Sequence, residues 1–229
     1  MNFKCNNNFN LITLEGNDAS GKGVQVKLIK EYYESIGKKV KHIHFPMYGH
    51  NVFSDLISKF LRGEFGNIDE VDPKFVANIY AMDRYMYKNE LIKDLNENDI
   101  VILDRYVYSN MAFQGAKYLD KDKINEIIMW ILDFEFNFLE LPYPNLILYL
   151  DVPIETIEKR LNNERIGSDR DYLNGGKDIH EQDINFQKKV RDIYLSFERY
   201  NEYKIINCAE GDKILNPTEL FNTYKYLLK

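Results

Sequence analysis

Residues 11–23 read Leu-Ile-Thr-Leu-Glu-Gly-Asn-Asp-Ala-Ser-Gly-Lys-Gly, a short apolar run that passes directly into a glycine-rich turn. Gly16 and the Gly21-Lys22 pair stand at the spacing of the phosphate-binding P-loop. In such a loop the backbone of Gly16, Asn17, Asp18, Ala19, Ser20, Gly21, Lys22 and Gly23 wraps polyphosphate oxygens with its N–H groups. The lysine reaches the outer phosphates, and the following helix directs its positive N-terminal end at the same anion. Gly23 departs from the pattern, which calls for a Ser or Thr hydroxyl on Mg²⁺ at that position.

Outward from the loop, Phe9 to Glu15 is predicted to be a buried parallel strand. Val24, Leu28, Tyr32 and Ile36 recur every fourth residue as the apolar stripe of a helix that Gly37 stops. Lys39 to Phe45 forms a second strand ending at Pro46, which completes a right-handed βαβ unit. The pattern from Asn51 to Asn98 is helical with a break around Gly63 to Asn67, and Asp72-Pro73 starts one long helix through Asn96. Asp99 to Asp104 is a third buried strand, its last carboxylate placed like a Walker-B aspartate. Two helices follow, the second over Lys123 to Leu139, and Leu146 to Leu150 is a fourth strand. A helix from Ile154 gives way near Asn162 to a polar segment, Asn163 to Asp183, of the kind that is either disordered or a functional lid. Phe186, Val190, Ile193 and Phe197 mark another helix, Tyr203 to Asn207 a fifth strand, and Asn216-Pro217-Thr218-Glu219 caps the last helix. The alternation predicts an α/β fold, a five-stranded parallel sheet flanked by helices on both faces.

With 229 residues, 45% of them hydrophobic, the chain is sized for one domain over 1–229. Its net charge of −6 argues against nucleic acid or anionic lipid as partners, so a polyanion must be held by a local basic pocket. Cys5 and Cys208 have no metal-type spacing, which points to a reducing compartment. No stretch is apolar enough to span a bilayer, and a cytoplasmic protein is expected. His42, His44, His50 and His180 show no metal-ligand spacing either.

In open α/β sheets ligands bind outside the carboxyl ends of the strands. The basic residues near those ends are Lys22, Arg84, Arg105, Arg165 and Arg170. Glu15 to Lys22, Phe45-Pro46, Tyr80-Ala-Met-Asp-Arg84, Asp104-Arg-Tyr-Val-Tyr-Ser-Asn-Met-Ala-Phe113 and Leu141-Pro-Tyr-Pro144 occur in one order along the chain. In that order they closely resemble the thymidylate kinase family, from about Leu11 to Asn207. The resemblance implies a three-layer P-loop NTPase fold with a lid over about 163–183, and a homodimer. It implies Mg²⁺-dependent transfer of the ATP γ-phosphate to dTMP, giving dTDP and ADP.

By the same resemblance Lys22 and the loop amides hold ATP, and Asp18 faces the acceptor's sugar 3′-hydroxyl. Arg84 and Arg105 match arginines on the acceptor phosphate, and Phe45 belongs to the acceptor-side motif. Tyr80, one helical turn before Arg84, suits stacking on a pyrimidine. Asn110 matches an asparagine on the thymine edge, where an amide offers both donor and acceptor. Phe113 matches a ring beside base and sugar, with Ser109 and Gln114 as neighbours. Asp104 is the candidate metal ligand and Tyr172 a lid tyrosine near the sugar. Ala19 stands where one branch of the family has an arginine, so Arg165 and Arg170 become the candidate catalytic lid cations.

After Phe45-Pro46 the chain carries Met47-Tyr48 and no acid. A sugar hydroxyl needs a carboxylate to take its proton, whereas a nucleotide phosphate is already an anionic nucleophile that needs positioning by arginine. Two alternatives stay open: a deoxynucleoside kinase, whose phosphate loop Glu15-Gly-Asn also resembles, and a nucleotide-binding protein without turnover, which Gly23 makes conceivable.

Overall fold

The computed structural model describes residues 10–162, 172–173, 175 and 178–228. Among these, strands β1 (Leu11–Glu15), β2 (Val40–His44), β3 (Ile100–Asp104), β4 (Leu146–Asp151) and β5 (Tyr203–Asn207) form a five-stranded sheet in the order β2-β3-β1-β4-β5. All neighbouring pairs are parallel. Central β1 sets Leu14 opposite Asp104 of β3 and Glu15 opposite Tyr149 of β4, so the carboxyl ends of the inner strands lie level. The order of the strands reverses at β1, and the crevice beyond its end is where such sheets take ligands.

The helices are α1 (Lys22–Ser35), α2 (Val52–Leu61), α3 (Pro73–Met86), α4 (Lys88–Glu97), α5 (Val107–Gly115), α6 (Lys121–Leu132), α7 (Ile154–Asn162), α8 (Ile184–Leu195) and α9 (Pro217–Tyr224). Ile12, Leu14, Ile100, Ile102, Leu148 and Leu150 bury one sheet face against Val26 and Ile29 of α1 and Phe221 and Tyr224 of α9. Leu11, Val101, Leu103, Ile147 and Tyr149 pack the other face against Met111 of α5 and Val190 and Tyr194 of α8. Burial on both faces is why these strands read as continuous apolar runs. A smaller cluster, Ile57, Phe60, Leu61, Val76 and Ile79, joins α2 to α3 and walls the crevice.

Two expectations need correction, and one element is additional. The buried face of α1 is Lys22, Gln25, Val26, Ile29 and Tyr33, whereas Val24 and Ile36 are exposed. A strict four-residue repeat advances about 40° per step on a helix of 3.6 residues per turn, so it drifts off the buried face within three steps. Gln25 is buried because α9 satisfies it: its Nε2 donates to Pro217 O at 3.0 Å, and Tyr224 Oη donates to its Oε1 at 2.7 Å. The single helix expected through Asn96 is two, α3 and α4, joined at Tyr87. A short antiparallel hairpin, β6 (Ala209–Glu210) with β7 (Lys213–Ile214), was not anticipated. Elsewhere α6 runs on into a π-helical turn, Asp133–Phe138, within the helix expected there. No helix among the described residues is long and apolar enough to cross a membrane.

The phase of α1 is testable by urea unfolding. Ile29→Ala should lose about 2–5 kcal/mol through cavity formation, and Ile36→Ala should stay within about 0.5 kcal/mol of the parent. Equal effects would restore the four-residue stripe.

Candidate active site

At Gly16 a β-carbon would stand 2.7 Å from Ser20 Oγ and 3.3 Å from Ser20 Cβ, so only glycine lets the loop close. Lys22 folds back across the loop, its Nζ donating to Asn17 O at 2.9 Å, Gly16 O at 3.2 Å and Ser20 Oγ at 3.3 Å. Burial pulls its ammonium down to about 7, Arg105 acts in the same direction, and Asp104 and Asp18 oppose. A polyphosphate in the loop would supply the counter-charge that restores the cation. Asn17 Nδ2 donates to the carbonyl and side-chain oxygens of Gln187 at 2.8 and 2.9 Å, and Gln187 Nε2 donates to Asp18 Oδ2 at 3.0 Å and His180 O at 2.9 Å. Helix α8 thereby holds the loop from below. Arg160 of α7 adds a bond to Ala19 O at 2.9 Å.

The end of β3 meets the loop. Arg105 donates through Nη2 to Asp18 Oδ1 at 2.5 Å and through Nη1 to Gly16 O at 2.9 Å and Ser109 Oγ at 3.3 Å. Burial pushes Asp18 upward, but Arg105, Lys22 and Gln187 outweigh it and hold the carboxylate below its ordinary range. Beneath them lies Glu15, fully buried, whose Oε1 accepts from Tyr106 N at 3.0 Å and whose Oε2 accepts from Ser109 Oγ at 2.5 Å. Tyr194 Oη is 2.8 Å from the same Ser109 oxygen. Burial raises the Glu15 carboxyl to about 7 against the pull of Ser109 and Arg105.

Beyond Arg105 opens a cavity of about 740 Å³ lined by Phe45, Tyr80, Arg84, Asn110, Phe113, Gln114, Tyr172 and His180. Arg84 differs from its expected part as a free phosphate ligand. Its Nε and Nη2 bind Glu135 bidentately at 2.6 and 2.7 Å, with both side chains buried. Asn110 Nδ2 donates to Ala77 O at 3.0 Å and Glu135 Oε1 at 2.8 Å, while its Oδ1 is buried without a partner. Both neighbours accept, which fixes the amide orientation and leaves Asn110 with a buried, unpartnered acceptor oxygen and no donor to spare. Both polar atoms of Gln114 are likewise buried and unpartnered. Phe113 packs under Arg105, whose Cζ is 5.3 Å from the ring centre. Tyr172 stacks on Tyr48 with ring centres 4.1 Å apart and donates to Asp178 at 2.9 Å.

Asp104 faces Lys22 at the α1 side of the sheet. Burial works upward on its carboxyl, but His44, Lys22 and Arg105 outweigh it and hold it near about 2. Its Oδ1 is buried and unpartnered. A carboxylate beside the loop with one oxygen left unpartnered is a donor of the type that holds a divalent cation. At Gly23 a β-carbon would meet nothing within 4 Å, so no side chain fills the place of the missing hydroxyl.

The structure therefore brings Lys22, Asp18, Asp104, Arg105 and the acceptor-side residues onto one cavity, while Arg165 and Arg170 lie outside the described residues. Sequence reasoning missed Glu15, Glu135, His180, Gln187 and Arg160. A carboxylate ending an apolar strand, as Glu15 does, was the one available signal; the others act through contacts distant in sequence.

The thymidylate kinase family model matches residues 14–215. The chain is 31% identical over 205 residues to a probable thymidylate kinase of Thermococcus kodakarensis, covering 87% of this chain and 89% of that protein. It is 32% identical over 216 residues to thymidylate kinase of Leuconostoc mesenteroides, with 91% and 92% covered. The solved thymidylate kinase of Candida albicans superposes with a TM-score of 0.70 at 20% identity, covering 96% of this chain and 91% of that one. That likeness extends the fold match.

Glu15 generates a pH prediction. A carboxyl raised to about 7 in the folded state binds its proton more tightly than in the unfolded chain. Its stabilising contribution is complete below its unfolded pKa and is lost as pH rises through about 7. Urea unfolding of wild type minus Glu15→Gln should fall with pH across that window; a flat difference would contradict the dominance of burial over the hydrogen bonds and charges around this carboxyl.

Proposed function

The chain belongs to the thymidylate kinase family of nucleoside monophosphate kinases, and from that membership we propose that it transfers the ATP γ-phosphate to dTMP, giving dTDP and ADP. The observation that carries the choice of acceptor is the unpartnered, acceptor-only oxygen of Asn110, a residue that lines the same cavity as Arg105 and the phosphate loop. Thymine presents N3–H to such an oxygen; cytosine presents a lone pair there and is repelled. Tyr80 offers its ring to the base. Arg84, neutralised by Glu135, keeps one Nη for the base edge, which leaves Arg105 to the acceptor phosphate.

ATP takes the loop, its phosphates on the amides and Lys22, and its adenosine in the adjoining space of about 430 Å³ beside Arg160, Cys208 and Leu215. Asp104 would hold Mg²⁺, which when bound supplies charge neutralisation on the transferring phosphoryl group. The acceptor phosphate competes with Asp18 for Arg105. Once displaced, the Asp18 carboxylate is free to accept from the sugar 3′-hydroxyl. The acceptor phosphate needs no general base, in keeping with the absence of an acid after β2.

The lid role of 163–183, with Arg165 and Arg170 as its cations and Tyr172 at its edge, belongs to this proposal on the sequence pattern. So does action as one domain. A homodimer is also part of it: Phe75 and Met86 lie exposed three turns apart on α3, and α6, tied to α3 by Lys74–Glu126 at 2.8 Å, exposes Met129.

A panel of dTMP, thymidine and dCMP with ATP and Mg²⁺, resolved by chromatography, tests the reading. Turnover of dTMP should dominate, with dCMP rejected by at least about a hundredfold in kcat/KM. Thymidine turned over as well as dTMP would favour the deoxynucleoside kinase, and dCMP matching dTMP would remove the role of Asn110.

A further inference from the structure

The corner between the ends of β2 and β3 carries side chains that the reaction as described does not use. His44, the last residue of β2, stands opposite Asp104 in the strand register, and its Nδ1 is 3.5 Å from Asp104 Oδ2. The imidazole is 44% exposed, so it can turn toward a ligand without disturbing the core. His44, Asp104, Lys22 and Gly23 all line the same cavity. Asp104 Oδ1 is buried there with no partner, and the space at Gly23 is open.

These distances suit a shared cation. Two donors each about 2.1 Å from one metal ion lie about 3.0–3.5 Å apart for angles between roughly 90° and 110°. The observed separation falls at the upper end of that range. An imidazole whose Nδ1 exchanges its contact with Asp104 Oδ2 for the metal, together with that carboxylate, is a competent pair of ligands.

Resting on the kinase reading above, the geometry points to His44 as a protein ligand of the divalent cation that accompanies ATP, shared with Asp104 in place of the hydroxyl absent at position 23. The donor set then mixes one nitrogen with carboxylate, phosphate and water oxygens. Oxygen ligands suit Mg²⁺, whereas imidazole raises affinity along the first-row series. The site consequently favours Mn²⁺ over Mg²⁺ by a wider margin than its oxygen donors alone would give.

Pulsed EPR of the full chain with Mn²⁺ and ADP reads this directly. Wild-type protein should show nitrogen modulation from a coordinated imidazole, which changes to the ¹⁵N pattern when histidine alone is ¹⁵N-labelled. The modulation should vanish in His44→Gln and persist in His42→Gln, whose parent residue lines the same cavity. The ratio of Mn²⁺ to Mg²⁺ affinity should narrow by about tenfold in His44→Gln. A wild-type Mn²⁺–ADP complex without histidine coupling would overturn the inference, as would coupling that survives His44→Gln. Turnover of dTMP without that coupling sinks this inference alone, and coupling without dTMP turnover sinks the kinase reading alone.

Discussion

Arg105 leaves β3 with a backbone φ of 66°, a left-handed conformation that costs a residue with a β-carbon about 1–2 kcal/mol. Its surroundings hold it there. Its own N–H continues the sheet ladder to Leu14 O at 2.9 Å, and the next N–H is taken by the Glu15 carboxylate at 3.0 Å. Ser109, one turn into α5, ties the same carboxylate to the guanidinium. The sharp turn lets one side chain reach across Gly16 to Asp18, and so the glycine-rich loop and the cavity share a residue. Buried Glu15, which touches neither substrate in the proposed reaction, acts as a positioning residue for that turn.

The two arginines of the cavity illustrate how burial separates structure from chemistry. Arg84 and Glu135 are almost wholly enclosed, and removing either partner would strand a buried charge at a cost of about 3–5 kcal/mol. Arg105 and Asp18 keep 16% of their side chains exposed at the edge of the cavity. In the proposed reaction a carboxylate at that edge is the stand-in that the acceptor phosphate displaces. Glu135 has a second effect, because by binding the Asn110 amide nitrogen it turns that residue into a pure acceptor.

Much of this was legible from sequence. The phosphate loop, five strands in order and the Asp104-Arg105 strand end follow from apolar runs, glycine spacing and proline punctuation, which are local properties. The failures arose where distant elements decide. Gln25 is polar yet buried because α9 satisfies it, which hid the true face of α1. Arg84 was assigned a phosphate because nothing near it in sequence announces Glu135. The lone histidines had no ligand spacing within β2, since the partner of His44 sits on the neighbouring strand.

The central claim is that Arg105 and Asp18 form one exchangeable unit joining the two substrates. A double-mutant cycle on kcat/KM for dTMP, with Arg105→Ala, Asp18→Ala and the double variant, measures it most directly. The account predicts strong non-additivity, the double variant losing little more than the worse single one. Losses that simply add would mean that the two residues act independently and would contradict it.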